Sequence, residues 1–368
     1  VQRQRTVVGI SAATLNDGGE NSNFVDAKQR NITQFFMVIA PDVDFANMRR
    51  KTHNCNVEKD VFCICYALAK IHSFVANTTI VERLWNDTMK LDIYQIDAFA
   101  SKVFRGNPAA VVPLAEWLPD DVMQNIAAEN NLAETAFFVP LEEGNYDLRW
   151  FTPEIEIPLC GHATLASAFV LYNYLGYKQA MVGFQSKSGE LRVSKSVRNG
   201  RDLFTLDFPV RGLERIETPQ SIINALGITP RETYRSAMNY LVVLESPREV
   251  LNLTPDFSGD KTFFSEHGII VSAAVPNSLS NDQQSAMQCD VVDFVSRYFA
   301  VFAGVFEDPV TGSAHCTLVP YWAEKLGKTT LIAQQVSKRG GQLFCELRGD
   351  RVMMGGHGAA YLQGTIEV

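Results

Sequence analysis

Three short stretches carry side chains able to move a proton or hold an anion: Glu134 in LAETAFFV, Cys160-Gly161-His162 in PLCGHATLA, and Asp308 with Thr311-Gly312-Ser313 in EDPVTGSA. In strand alternation Glu134 shares a face with Leu132, Ala136 and Phe138, while Ala133, Thr135 and Phe137 take the other. Neither face looks wet. A carboxylate in apolar surroundings has its pKa raised by desolvation, which suits a group that both takes and gives a proton near neutrality. The competing reading is a glutamate at a solvated strand edge.

Gly161 and Gly312 each follow an expected strand and open an expected helix. Unpaired backbone N–H groups gather at such starts with the positive end of the helix dipole. Two starts facing one cleft would grip a carboxylate or an enolate-like oxygen. The plainer reading is helix entry, with Asp308 as cap and Pro309 in the first turn. His162 and Ser313 stand one residue after each glycine. Cys160 sits just before a helix N-terminus, where a thiol pKa should fall, although a buried, inert cysteine is the commoner case. Its counterpart in the second stretch is Thr311. His315 and Cys316 read as packing residues, and Pro320 should kink its helix or sit at a bend.

The elements that must position these groups repeat. Gly161 and Gly312 are 151 residues apart, as are Gly176 and Gly327, Ser186-Lys187 and Ser337-Lys338, and Gly189 and Gly340. This ungapped offset reads as a duplicated lobe. The stretch 163–176 holds no charged residue, so the helix 161–176 is expected to be largely buried, with the two glycines approaching each other. LPDDVMQNIAAENN is expected to be a helix burying Met123, Ile126 and Ala127 and stopped by Asn130-Asn131. ETAFFV and YDLRWFT should form a hairpin turning at Glu143-Gly144-Asn145.

The expected organisation is an N-terminal extension over 1–88, a first lobe over 89–208 completed by a last strand at 359–368, and a second lobe over 209–358. The extension lacks clear periodicity and is expected to be poorly ordered or translated from before the natural start. Its His53, Cys55, Cys63, Cys65 and His72 match no zinc spacing, so no metal site is expected. Residues 1–88 carry 10 Lys+Arg against 9 Asp+Glu, which leaves 23 basic and 32 acidic residues thereafter. An acidic body without a basic stripe argues against nucleic acid as a partner. No apolar run reaches the ~20 residues that span a bilayer, so no membrane partner is expected. Seven cysteines, an odd number, and no secretory pattern at Val1 make a reducing cytoplasm the expected location. Phosphate-loop, dinucleotide-fold and zinc-protease motifs are absent, so no cofactor is expected.

GNPAAVV at 106–112, LAETAFFV at 132–139, FTPEIEIPLCGHATLA at 151–166 and EDPVTGSAHCTLVPYW at 307–322 resemble the PhzF-like isomerase family of phenazine biosynthesis. The resemblance covers 89–368 in order. It implies an α+β, diaminopimelate-epimerase-like fold of two pseudo-symmetric lobes, each a curved, mostly antiparallel sheet wrapped around a central helix. It also implies a cofactor-independent, homodimeric isomerase that moves a proton on a small carboxylic acid. Glu134 matches the general acid/base, His162 the histidine of the G-H motif, and Asp308 and Ser313 the polar residues of D-P-x-T-G-S. Gly161 and Gly312 match the N–H donors to the ligand, with Thr311 and Cys160 beside them. The related epimerases use two facing cysteines, and this chain offers one. Two other readings therefore stay open: a Cys160-dependent amino-acid epimerase or racemase, and a silent carboxylate-binding protein.

Overall fold

Alternating apolar residues place the strands, and punctuation by Asn, Gly and Pro places their ends. The computed structural model describes residues 89–276, 291–301 and 305–368. The expected extension 1–88, with its His and Cys residues, lies outside the described residues. The first half runs β1 (Lys90–Ala98), β2 (Asn107–Pro113), α1 (Asp120–Asn130), β3 (Glu134–Pro140), β4 (Tyr146–Phe151), β5 (Glu156–Ile157), α2 (Gly161–Asn173), β6 (Met181–Gln185), β7 (Leu191–Arg198) and β8 (Arg201–Pro209). The second runs β9 (Glu214–Ile216), α3 (Gln220–Leu226), β10 (Glu232–Arg235), β11 (Asn239–Val243), α4 (Pro247–Asn252), β12 (Gly268–Ala274), β13 (Phe294–Ala300), β14 (Val305–Asp308) and α5 (Gly312–Leu326). It closes with β15 (Thr330–Gln335), β16 (Gly341–Arg348), β17 (Arg351–Gly356) and β18 (Gly358–Glu367).

The two halves repeat one pairing scheme. Parallel pairs β2–β3 and β4–β6 recur as β11–β12 and β13–β15. The other pairings among the described strands are antiparallel. β9 pairs with its neighbour β10 inside the second half, whereas β18 crosses back to pair with β1. The β8–β17 pair joins the halves into one sheet. This is the mostly antiparallel α+β architecture expected above.

Helix α2 touches β1, β2, β3, β7, β8 and β18, so the sheet of its half wraps around it. That is why a helix without charge on any side is stable here: Leu165, Ala166, Val170 and Leu171 are all fully buried. Its buried hydroxyls satisfy themselves within the helix, Ser167 donating to the Ala163 carbonyl at 2.8 Å. The expected span was one turn too long, since the helix ends at Asn173 and residues 173–176 are exposed. Outer faces are covered separately. Met123, Ile126 and Ala127 of α1 pack on β2 and β3, while α3 and α4 pack on β11, β12 and β13.

Local stops follow the expected chemistry. Asn131 ends α1 in the left-handed conformation (φ 49°). The β3–β4 hairpin turns through Glu143 and Gly144, both at positive φ. Pro320 sits inside α5, where it cannot donate to the carbonyl four residues back. That carbonyl, on Cys316, accepts instead from the Arg211 backbone N–H at 3.0 Å. The connector between β8 and β9 therefore repairs the helix. Among the described residues, no helix is long and apolar enough to cross a membrane.

Candidate active site

Glu134 opens β3, His162 is the second residue of α2, Asp308 ends β14 and Thr311 is the residue just before α5. The pairing of the halves brings all four together. A methyl added at Gly161 would lie 3.7 Å from the Gly312 Cα, so the two helix starts approach with room for a methyl group between them. Any bulkier side chain at either glycine would push them apart. The first N–H groups of each helix have no partner within it, and both positive ends converge on this point.

Around it runs a chain of polar contacts. Glu134 Oε2 lies 3.0 Å from His162 Nε2, with side-chain exposures of 16% and 6%. The pair is close but not aligned as a hydrogen bond, and each atom is buried without another partner. Glu134 is thus the group of the set best placed to reach a ligand. On the other side of the ring, His162 Nδ1 is 3.4 Å from Cys160 Sγ and 3.2 Å from Asn107 Nδ2. Asn107 spends its two amide protons elsewhere, donating to Asp308 Oδ1 at 2.8 Å and to the Val310 carbonyl at 3.0 Å. Nδ1 is left facing the sulfur. Asp308 Oδ2 accepts from the Thr311 hydroxyl. Gln335, fully buried, accepts from the Thr311 N–H and donates to the Asp308 carbonyl, both at 2.8 Å.

Asp308 is therefore a half-buried member of a network and not the cap of α5, which starts four residues later. Burial pushes its carboxyl up to about 6; a charged His162 and the Thr311 and Asn107 donors pull against that, and Glu134 adds to it. For His162 burial disfavours the charged ring, but Cys160 and Glu134 on its two nitrogens outweigh this and hold it well above its ordinary 6.5. Ser313 is half-buried beside Gly312 and joins none of these contacts. His315 and Cys316 are buried packing residues as expected, with burial lowering the His315 imidazole to about 4.

Cys160 departs from expectation. The helix start should lower its pKa, yet burial and the nearby Glu134 push the thiol up to about 11. The local dipole loses to desolvation. Modification of native Cys160 by iodoacetamide at pH 7 is expected to run at least ~100-fold slower than that of an exposed cysteine of pKa ~8.5. Peptide-resolved mass spectrometry reads this; labelling at the exposed rate would mean that the thiol is ionised.

Glu134, Cys160 and His162 place ligand-type atoms within 4.8 Å of one another, the grouping among the described residues able to approach a metal ion. The imidazole stands between the other two, with sulfur at Nδ1 and carboxylate at Nε2.

Asn107 is the site residue that motif reading passed over. It opens β2, as Asn239 opens the equivalent β11. The offset there is 132 residues, so the ungapped 151-residue match misses it. Superposing the strands on these asparagines is informative. Ala109 then matches Leu241, and their parallel partners are Glu134 and Ile270. One half supplies a carboxylate where the other supplies a buried aliphatic residue.

A family model described as phenazine biosynthesis-like protein, PhzC-PhzF, matches residues 96–364. Two uncharacterised isomerases of Pseudomonas aeruginosa are 45% and 43% identical over 280 residues each, which is 76% of this chain and all of theirs. A crystal structure of a PhzF-family phenazine biosynthesis protein from Enterococcus faecalis is 46% identical, with a TM-score of 0.68 over 76% of this chain and all of that one.

Proposed function

This chain belongs to the phenazine biosynthesis-like PhzC-PhzF family, and on that premise we propose that it acts without a cofactor, Glu134 moving a proton on a small carboxylic acid. Two relatives matched over their whole length are named isomerases, and the chain is an isomerase. The observation that carries the finer reading is the Glu134–His162 contact of 3.0 Å beside two helix starts that approach to within a methyl group.

The N–H groups at Gly161 and Gly312 would hold the substrate carboxylate and stabilise the oxyanion that forms when a neighbouring carbon loses its proton. Glu134 would take that proton and return it at another carbon. His162, held towards its charged form, would favour the carboxylate after each return. The single carboxylate at the matched positions Glu134 and Ile270 fits one acid/base better than two opposed ones. A cysteine-dependent epimerisation, with Glu134 or Asp308 as the second base, would need Cys160 as thiolate, against its raised pKa.

The test is proton exchange. Small carboxylic acids that raise the melting temperature are incubated with the protein in D₂O. Incorporation of one deuterium at a carbon next to the carboxylate or along a conjugated chain is expected. Acids that bind but never exchange would replace this reading by that of a silent carboxylate-binding protein.

A further inference from the structure

A cavity of about 1060 Å³ opens between the β1–β2 connection, the start of α4 and the β15–β16 connection. None of Glu134, Cys160, His162, Asp308 or Ser313 lines it. Among the described residues its wall carries Lys102, Arg105, Arg248 and Arg339, and no aspartate or glutamate. In a chain of net charge −8 that concentration is unusual. Arg339 is committed: it pairs with buried Asp97 at 2.8 Å and braces the Gly106 carbonyl at 2.8 Å. Arg105 reaches only a backbone carbonyl, at 3.5 Å. Lys102 and Arg248 have no carboxylate partner among the described residues and are exposed. Gln342 adds a buried amide donor, Nε2, without a hydrogen-bond partner.

Three uncompensated cations and a spare amide donor around one cavity present donors without acceptors. Guanidinium groups match phosphate oxygens two at a time, and an ammonium adds a point charge. The volume suits a whole small molecule. Nucleic acid is disfavoured by the chain's net charge of −8. We propose that this cavity is a second ligand site, separate from the Glu134 site, and that it takes a small phosphate-bearing molecule.

The cavity also backs onto the active-site framework. Gly106, at φ +67°, donates to the Gly340 carbonyl at 2.7 Å, and the next residue is Asn107. A side chain at Gly106 would place its Cβ 2.1 Å from the Ala98 oxygen, so only glycine fits this turn.

Pyrophosphate binding to the full chain, read by calorimetry at low ionic strength, tests the proposal. Saturable binding is expected in the wild type. It should weaken at least about tenfold in Lys102→Gln/Arg248→Gln, the loss that one charged hydrogen bond gives, and also with added salt. These exposed substitutions leave folding intact, which the melting temperature verifies. Glu134→Gln should bind pyrophosphate within about twofold of wild type, so the result stands apart from the fate of the isomerase reading. No saturation below about 10 mM, an unchanged affinity in the double variant, or binding of tricarballylate in place of pyrophosphate would each overturn the phosphate site.

Discussion

Replacing Glu134 by glutamine is expected to lower turnover about 10²–10⁴-fold, or about 3–5 kcal/mol at 1.36 per decade. Glutamine keeps the shape and can still approach His162 Nε2, which lies 3.0 Å from the native carboxylate. It cannot accept a proton from carbon near neutral pH. Binding of an unreactive carboxylate should change far less, because under the proposed mechanism the anion would be held by N–H groups at Gly161 and Gly312. Cys160→Ser is the matched control. With the native thiol buried and its pKa pushed up to about 11, removing the sulfur should leave turnover within roughly tenfold, less than the loss of a positioned acid/base. The measurement is kcat for both variants with inhibitor affinity alongside. Normal turnover in Glu134→Gln together with a dead Cys160→Ser would transfer the chemistry to the thiol.

Asp308→Asn should change how stability depends on pH. The folded carboxyl sits at about 6 against an ordinary 3.8. A carboxyl raised on folding binds its proton more tightly in the native state, so ionising it costs native stability. The loss begins as pH climbs through the unfolded value and is complete above the folded one. Two units at 1.36 each amount to about 3 kcal/mol between pH 4 and pH 6–7. Asparagine fits the same contacts, its oxygen accepting from Asn107 and its amide donating to the Thr311 oxygen, and it does not titrate. Urea denaturation at pH 4.5, 5.5 and 7 should therefore show wild type losing stability relative to the variant as pH rises. His162 and Glu134 face the same carboxyl, so only the difference between the two profiles isolates Asp308. Parallel profiles would place Asp308 among ordinary carboxylates.

How far the site could be read from sequence depended on whether a residue's neighbours were local. Glu134 on a dry strand face, the paired helix starts and the uncharged α2 all follow from periodicity and spacing within one element or one repeat. Asp308 did not, because the donors that make it a network member, Asn107 and the Thr311 hydroxyl, arrive from a distant strand and from the turn before α5. Cys160 failed in the opposite sense. The local argument about a helix N-terminus was sound, but the burial that reverses it is a tertiary property. Asn107 was quoted in its motif and yet unrecognised, since the repeat that would pair it with Asn239 carries a different offset upstream of the ungapped match. The exposed turn at 173–176 was hidden because its residues are uncharged and only packing decides where the cover ends.

The return of β18 to β1 sets the order in which this polypeptide can be assembled. β1 pairs along its length with β18, Lys90 meeting Glu367 across 277 residues of chain. The half that a ribosome makes first thus lacks one edge of its sheet until β18 has been made. Until then β1 has an open row of N–H and C=O groups, the kind of edge that invites pairing with another nascent chain. The fold gains a sheet that the first half cannot complete alone, and in exchange that half must wait, with a high contact order and a slow search. Chaperone cover of β1 during synthesis would serve this chain more than it would serve a protein whose lobes close in sequence.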